Sequence, residues 1–491
     1  MPTGIRRLSA VCVIAGVGLS GVTIAVVARQ PANADLAARI ARVEQGLLPG
    51  IVIAGTPSAP MKMADRMTFY ATPGVSVAVI NDGAIEWTRG YGVVEAGSAT
   101  PVTTHTRFQA ASISKPVAAL GAMLLVAQGR LALDEPVNSR LTSWKVPDNE
   151  FTAKQPVTLR QLLSHTAGLT VHGFGGYEAG SPVPALAQVL DGQKPANSAP
   201  VRVDVLPGTI NRYSGGGFTV AQQLLVDTSG KPFPSLLSEL VLVPLGMTDS
   251  TYEQPLPAPL AGQAASGHRQ DGKPIPGRYH TYPELAAAGL WTTPTDLATF
   301  VIELQRALAG TSRAIPTATA REMTTVQKDN YGLGLSLPGT GTAARFGHGG
   351  SNEGFRCEMV GFLAGGKGAV VMTNGDRGGA LAAEILRSIA REYGWAAYRP
   401  QEKRVVPLDR ATLAALQGRY EVAPGHVFTV RLVGQKLFVF DRDERGELLP
   451  ESPTRFFDPV DENTLEFEKE GNAVSHVLIN GSLRCRRIGP A

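Results

Sequence analysis

The run Gly74-Val75-Ser76-Val77-Ala78-Val79-Ile80 breaks at Asn81-Asp82-Gly83 and resumes as Ile85-Glu86-Trp87-Thr88. Two strand-like runs around such a turn predict a β-hairpin, because a tight reversal needs positive φ angles that Asn, Asp and Gly supply. Downstream, Val117-Ala118-Ala119-Leu120 through Val126-Ala127-Gln128 is apolar on nearly every face, the mark of a helix buried between layers, and Gly129 signals its end. Pro116 is tolerable near its start, where an N–H has no intrahelical partner. Thr158-Leu159-Arg160-Gln161 has the form of a capping box, opening a short helix that stops before Gly168. From there to about residue 330, helical segments such as Val220–Thr228 alternate with Gly- and Pro-rich loops. Strand character returns at Phe346–Gly350, Arg356–Phe362 and Ala369–Thr373, and a closing helix is expected over Leu381–Tyr393. Strands from both ends with helices between them predict an α+β fold: an antiparallel sheet flanked by helices, with an inserted mainly helical region.

After Trp395 the pattern changes. A charged, proline-containing stretch, Arg399 to Asp409, reads as a linker, and short runs follow at Val427–Leu432, Lys436–Phe440, Thr464–Glu468 and Val474–Ile479. Their spacing predicts a small antiparallel β-barrel or sandwich. At the other end, Arg6 and Arg7 precede an apolar run, Leu8 to Ala28, and the small residues Ala32-Asn33-Ala34. That arrangement reads as an export signal cleaved after Ala34, or as an uncleaved membrane anchor. The expected organisation is therefore residues 1–34 as signal or anchor, 35–395 as the main domain, 396–410 as linker and 411–491 as barrel. The expected location is exported, either periplasmic or secreted, or anchored to the inner membrane. A membrane contact is expected only if the N-terminal segment stays uncleaved.

At 491 residues, 43% hydrophobic and 18% charged, the chain has ordinary globular composition. Residues 1–34 hold Arg6, Arg7 and Arg29 and no acid, so without them the 46 basic residues become 43 against 42 acidic. That balance, with no basic cluster, argues against a nucleic-acid partner. Cys357 and Cys485 could pair in an oxidising compartment but, being far apart in sequence, read rather as two isolated small hydrophobes. No His-Glu-x-x-His and no cysteine pair at zinc spacing occurs, so neither a metal nor another cofactor is expected. No Gly-x-Ser-x-Gly elbow marks an α/β-hydrolase.

Three patterns carry chemistry. Ser112-Ile113-Ser114-Lys115 puts a hydroxyl and an amine one helical turn apart where a helix begins, a nucleophile beside a candidate base. Tyr213, in Arg212-Tyr213-Ser214-Gly215-Gly216-Gly217, is a candidate proton carrier, with a pKa expected to fall beside a cationic amine. In Phe346-Gly347-His348-Gly349-Gly350-Ser351, glycines on a strand let a substrate backbone approach, and an N–H beyond them could join that of Ser112 in an oxyanion hole.

In this order and spacing the three patterns resemble those of the serine β-lactamase and penicillin-binding-protein superfamily, in particular the branch of class C β-lactamases, DD-peptidases, D-aminopeptidases and β-lactamase-like esterases. The resemblance extends over about residues 60 to 395. It includes Pro73–Val79, Val157-Thr158-Leu159-Arg160-Gln161-Leu162-Leu163-Ser164-His165-Thr166-Ala167-Gly168-Leu169, Pro244-Leu245-Gly246-Met247, and Ala288–Trp291 running into Pro294–Leu297. It implies that Ser112 is the acylated nucleophile, Lys115 its proton partner and Tyr213 a general base or acid. His348 would stand in the third motif, the backbone of Ser112 and Ser351 would form the oxyanion hole, and Gly215, Gly349 and Gly350 would face substrate. His165 reads as a capping residue of its motif, and His426 and His476 as barrel residues. Residues from about 405 resemble the lipocalin-like barrels appended to some of these hydrolases, which shape the cleft in some relatives.

Two departures bear on substrate. Gly215 stands where β-lactamases of this type carry Asn, deleting an amide, and His348-Gly349-Gly350 stands for Lys-Thr-Gly, replacing a fixed charge and removing a hydroxyl. Losing one charge-assisted hydrogen bond to a substrate carboxylate costs on the order of 1.5 to 3 kcal/mol, enough to redirect specificity. The expectation is an exported serine hydrolase acting through an acyl-enzyme on a small ester or amide, of carboxylesterase or D-amino-acid-directed peptidase type. The alternatives are a β-lactamase or DD-carboxypeptidase acting on β-lactam or peptide, and a penicillin-binding sensor with slow or no turnover.

Overall fold

The structure, a computed structural model, describes residues 31–491 apart from Ser58, Pro424, Asp443 and Asn472. The run Leu8–Ala28 lies outside the described residues. The chain divides into two compact units, residues 1–41 and 42–491. The described part of the first belongs to a helix, Pro31–Glu44, in which Arg39 lies 3.7 Å from Asp35 one turn earlier. No helix among the described residues is long and apolar enough to cross a membrane.

The second unit is built on a five-stranded antiparallel sheet. Strands β1 (Gly74–Asn81) and β2 (Ala84–Gly92) form the expected hairpin, with Asp82 and Gly83 at φ 50° and 72° in its turn. Strands β3 (Arg345–Asn352), β4 (Phe355–Phe362) and β5 (Gly368–Thr373) come from the late part of the chain. The order across the sheet is β2-β1-β5-β4-β3. The adjacent strands β1 and β5 are buried almost throughout, which accounts for their mostly apolar sequences.

Helix α1 (Ser114–Ala127) is buried from Ser114 to Leu125, as its all-round apolarity predicts. It packs against α2 (Gly215–Ser229) and the short turn Leu285–Ala288. Helices α3 (Pro294–Leu308) and α4 (Gly378–Glu392) pack on the sheet. The capping box forms as expected: the Thr158 side chain accepts from Gln161 N–H and Gln161 reaches back, opening a helix over Leu159–Leu163.

At the C-terminus, eight strands close into an antiparallel barrel. They are β6 (Gly418–Ala423), β7 (His426–Val433), β8 (Lys436–Asp441), β9 (Glu444–Pro450), β10 (Arg455–Phe457), β11 (Thr464–Glu470), β12 (Ala473–Ile479) and β13 (Leu483–Gly489). Its interior is filled by side chains such as Tyr420, Phe428, Phe456, Phe467 and Cys485. Cys485 and Cys357 are both buried and free. His426 pairs with Asp441 on the neighbouring β8. Between sheet and barrel, Gln401–Lys403 pairs in parallel with Ile51–Ile53, and Arg387 of α4 meets Glu462 at 2.6 Å.

Candidate active site

Ser112 sits in a single 3₁₀ turn, Ala111–Ile113, and the α-helix proper starts at Ser114. The residue before it, Ala111, has φ 51°, a left-handed conformation costing an L-residue roughly 1–2 kcal/mol. Packing holds the turn in place. Ser114 Oγ donates to Ala111 O and accepts from Leu290 N–H at 2.9 Å, and Tyr252 donates to Ser114 O at 2.7 Å. Strand β3 runs alongside: a Cβ on Gly350 would lie 2.2 Å from Ala110 O, so only glycine lets the strand come this close. Asn352, at the end of β3, ties the two by donating to Gln109 Oε1 and Ala288 O.

Lys115 is buried, with Nζ 2.9 Å from Ser112 Oγ and 2.8 Å from Ala287 O. Burial lowers its pKa to about 7. Such an amine, when neutral, donates to Ala287 O and accepts from the serine hydroxyl, the arrangement from which a base removes a proton. Its Nζ also lies 4.9 Å from the centre of the Tyr213 ring. The Tyr213 pKa moves opposite to expectation: burial pushes it up to about 12, and its hydrogen bond with Ser112 offsets only part of that. The expected lowering weighed only the neighbouring amine, whereas withdrawal of the phenol from water is the larger effect. Tyr213 is therefore held as the neutral phenol at neutral pH.

A buried chain of rings backs the third motif. Ser214 N–H donates to His165 Nδ1 at 3.1 Å, which leaves the His165 proton on Nε2. That nitrogen is 3.2 Å from Tyr331 Oη and therefore donates to it. Tyr331 in turn gives its proton to His348 Nε2 at 3.1 Å, and His348 Nδ1–H goes to Gly349 O at 2.6 Å. Every link has one donor and one acceptor, so both imidazoles are neutral and their tautomers are set. Burial and the nearby lysine agree with this: they lower His165 well below its ordinary pKa and His348 to about 3, while burial raises Tyr331 well above its own. His165, read as a capping residue, is a member of this chain with φ 58°. Tyr331 was missed by the sequence analysis; its one signal is an aromatic before Gly332-Leu333-Gly334.

Ser112, Lys115, Tyr213, Gly215, His348, Gly349, Gly350 and Ser351 all line one cavity of about 730 Å³. The sequence-derived site residues are thus brought together in one place. Ser351 is exposed there, one residue past the close approach of Gly350, with its backbone beside the Ser112 turn. Arg356 and Glu358, which no motif contains, line the cavity too. No residue of the barrel does. A separate cleft of about 770 Å³ around Met63, Met67, Tyr91 and Gly272 contains none of the candidate catalytic or substrate-facing residues. Among the described residues no group of three His, Cys, Asp or Glu side chains is placed to hold a metal.

A family model described as Beta-lactamase matches residues 62–393. Penicillin-binding protein 4 of Amycolatopsis lactamdurans is 31% identical over 183 residues, 37% of this chain and 45% of that protein. Esterase EstB of Burkholderia gladioli is 29% identical over 217 residues, 41% of this chain and 54% of the esterase. The chain thus spans about half the length of these curated relatives. The solved octameric penicillin-binding protein homologue from Pyrococcus abyssi superposes with a TM-score of 0.60 at 21% identity, covering 86% of this chain and 98% of its own, which is a likeness of fold.

Proposed function

The chain belongs to the β-lactamase family, and on that footing we propose that it hydrolyses an ester or amide through an acyl-enzyme at Ser112. The observation that carries this reading is the 2.9 Å contact between Ser112 Oγ and a buried Lys115 whose pKa is near 7. Neutral Lys115 takes the hydroxyl proton as Oγ attacks the substrate carbonyl carbon. The N–H groups of Ser112 and Ser351 receive the resulting oxyanion. As the bond to the leaving group breaks, Tyr213 gives it a proton and is reprotonated by the Lys115 ammonium. Water then attacks the acyl-Ser112 ester by the reverse proton path, releasing the acid and restoring the serine.

Esters are favoured over β-lactams and over peptides ending in a carboxylate. A neutral His348 with both ring nitrogens engaged offers no cation to a carboxylate, and an esterase stands among the relatives. Export by the N-terminal segment belongs to the same reading, and the mass of the protein recovered from outside the cytoplasm tests for cleavage after Ala34.

The functional test compares rates on a p-nitrophenyl ester, nitrocefin, a D-amino-acid p-nitroanilide and a D-Ala-D-Ala peptide, for the wild type and Ser112→Ala. The ester is expected to be fastest, with an acyl adduct on Ser112 by mass spectrometry. Hydrolysis that survives in Ser112→Ala would remove Ser112 as nucleophile, and a nitrocefin rate far above the ester rate would reverse the substrate order.

A further inference from the structure

The register of the sheet sets Gly349 of β3 opposite Glu358 of β4. A Cβ at position 349 would lie 2.9 Å from Glu358 Oε1, so this glycine leaves room for the carboxylate beside the strand that carries the third motif. Glu358 is partly exposed and is the one carboxylate among the residues lining the Ser112 cavity. Among the described residues, no hydrogen bond or ion pair holds its oxygens.

Of the four basic side chains lining the cavity, His172 is exposed and lies against the Tyr213 ring, and the other three are engaged elsewhere. Arg356 gives its guanidinium to the carbonyls of Asn352 and Phe355 and to Asp376 at 2.9 Å. Lys115 is held between Ser112 and Ala287, and the two ring nitrogens of His348 face Tyr331 and Gly349 O. A carboxylate withdrawn from water without a counter-ion is costly, and burial accordingly raises Glu358 to about 7. A cation entering the cavity relieves that cost, whereas a second carboxylate adds to it. Phe174 and Tyr213 line the same space, and aromatic rings attract an ammonium group.

We infer that Glu358 determines specificity by receiving a cationic group of the substrate, a protonated or quaternary amine carried on the ester or amide, and by turning away substrates with a carboxylate in that place. This rests on the acyl-enzyme reading above. No bond is made to Glu358; it binds by charge.

The test uses the full chain at pH 8 and two ester series of matched shape. One varies the alcohol: a choline ester, its uncharged 3,3-dimethylbutyl isostere and an ester whose alcohol ends in a carboxylate, followed by acid release. The other varies the acyl group of p-nitrophenyl esters in the same three ways. In at least one series kcat/KM for the cationic member is expected to exceed that of the neutral one about tenfold or more, with the anionic member slowest. The cation-to-neutral ratio should fall with added salt, and Glu358→Gln should bring it close to one. A wild-type ratio near one in both series overturns the inference without any variant, so a poorly folded Glu358→Gln cannot protect it. An unchanged ratio in a folded Glu358→Gln overturns it as well. Turnover of neutral esters with a flat charge series sinks the Glu358 inference alone, whereas absence of any Ser112 adduct sinks the acyl-enzyme reading.

Discussion

A lysine buried with its amine between a serine hydroxyl and a carbonyl oxygen can be charged only by giving up hydration, which brings Lys115 to about 7. The deprotonated form is the base, so for an uncharged ester kcat/KM should rise with pH through a midpoint near 7 and then level. His348 near 3 and Tyr213 near 12 titrate outside that window; Glu358, near 7, titrates within it, so Glu358→Gln should leave the midpoint for an uncharged ester in place. A rate that fell as pH rose through 7 would mean that the charged amine is the active form. Tyr331 is the hinge of the ring chain, and Tyr331→Phe leaves His165 Nε2–H and His348 Nε2 without partners. Unfolding by denaturant should show a loss of about 1–3 kcal/mol, and nitrogen NMR should show His348 released from its single tautomer; an unaltered tautomer would break the chain of donors argued above. Ser112, Lys115, Tyr213 and His348 were legible because motif spacing reports on which side chains can meet. Tyr331 and Glu358 were not, since only folding and strand register bring them to the site. The direction of the Tyr213 shift was misread for a related reason: burial of the Tyr213 phenol is a tertiary fact, invisible in the spacing.

Strands and helices were legible where one pattern governed them. The Asn81-Asp82-Gly83 turn and the buried runs of β1 and β5 follow from local conformation and burial alone. Helix α2 was read from Val220, yet it starts at Gly215. Three glycines are poor helix formers, costing about 1 kcal/mol each against alanine, but Ser214 caps Gly217 N–H and a Cβ on Gly216 would meet Thr170 O at 2.8 Å. Close packing outweighs propensity there. The same reasoning gives a prediction for β3. Gly350→Ala cannot be accommodated 2.2 Å from Ala110 O without moving the strand or the Ser112 turn. It should lower kcat on an ester at least tenfold while circular dichroism remains that of the wild type, and an unchanged kcat would show that this approach is not needed for turnover.

On the scale of the molecule, the barrel meets α4 through Glu462 and the Gln401–Lys403 strand through the Lys403–Glu451 pair, and supplies nothing to the wall of the Ser112 cavity. Its Glu462 is half exposed opposite Arg387, so the pair contributes at most about 1 kcal/mol. Glu462→Ala should therefore shift the melting temperature by no more than a few degrees and leave kcat and KM for an ester within twofold; a change in kcat would reveal a coupling between barrel and site. The barrel's existence was legible from its short, evenly spaced strands, whereas its closure was not, because β13 meets β6 across the whole C-terminal region. The sheet has a far more distant pairing: Val77 is matched with Val371 on one side and with the nearby Arg89 on the other. A ribosome delivers the hairpin early and β3, β4 and β5 late, and contacts of such long range form slowly. A nascent chain halted before Arg345 thus exposes one side of β1 and carries Ser112 without the strand that holds Ser351. By strand order alone, the walls around Ser112 are complete only once β3, β4 and β5 have been made, while the barrel strands are still to come.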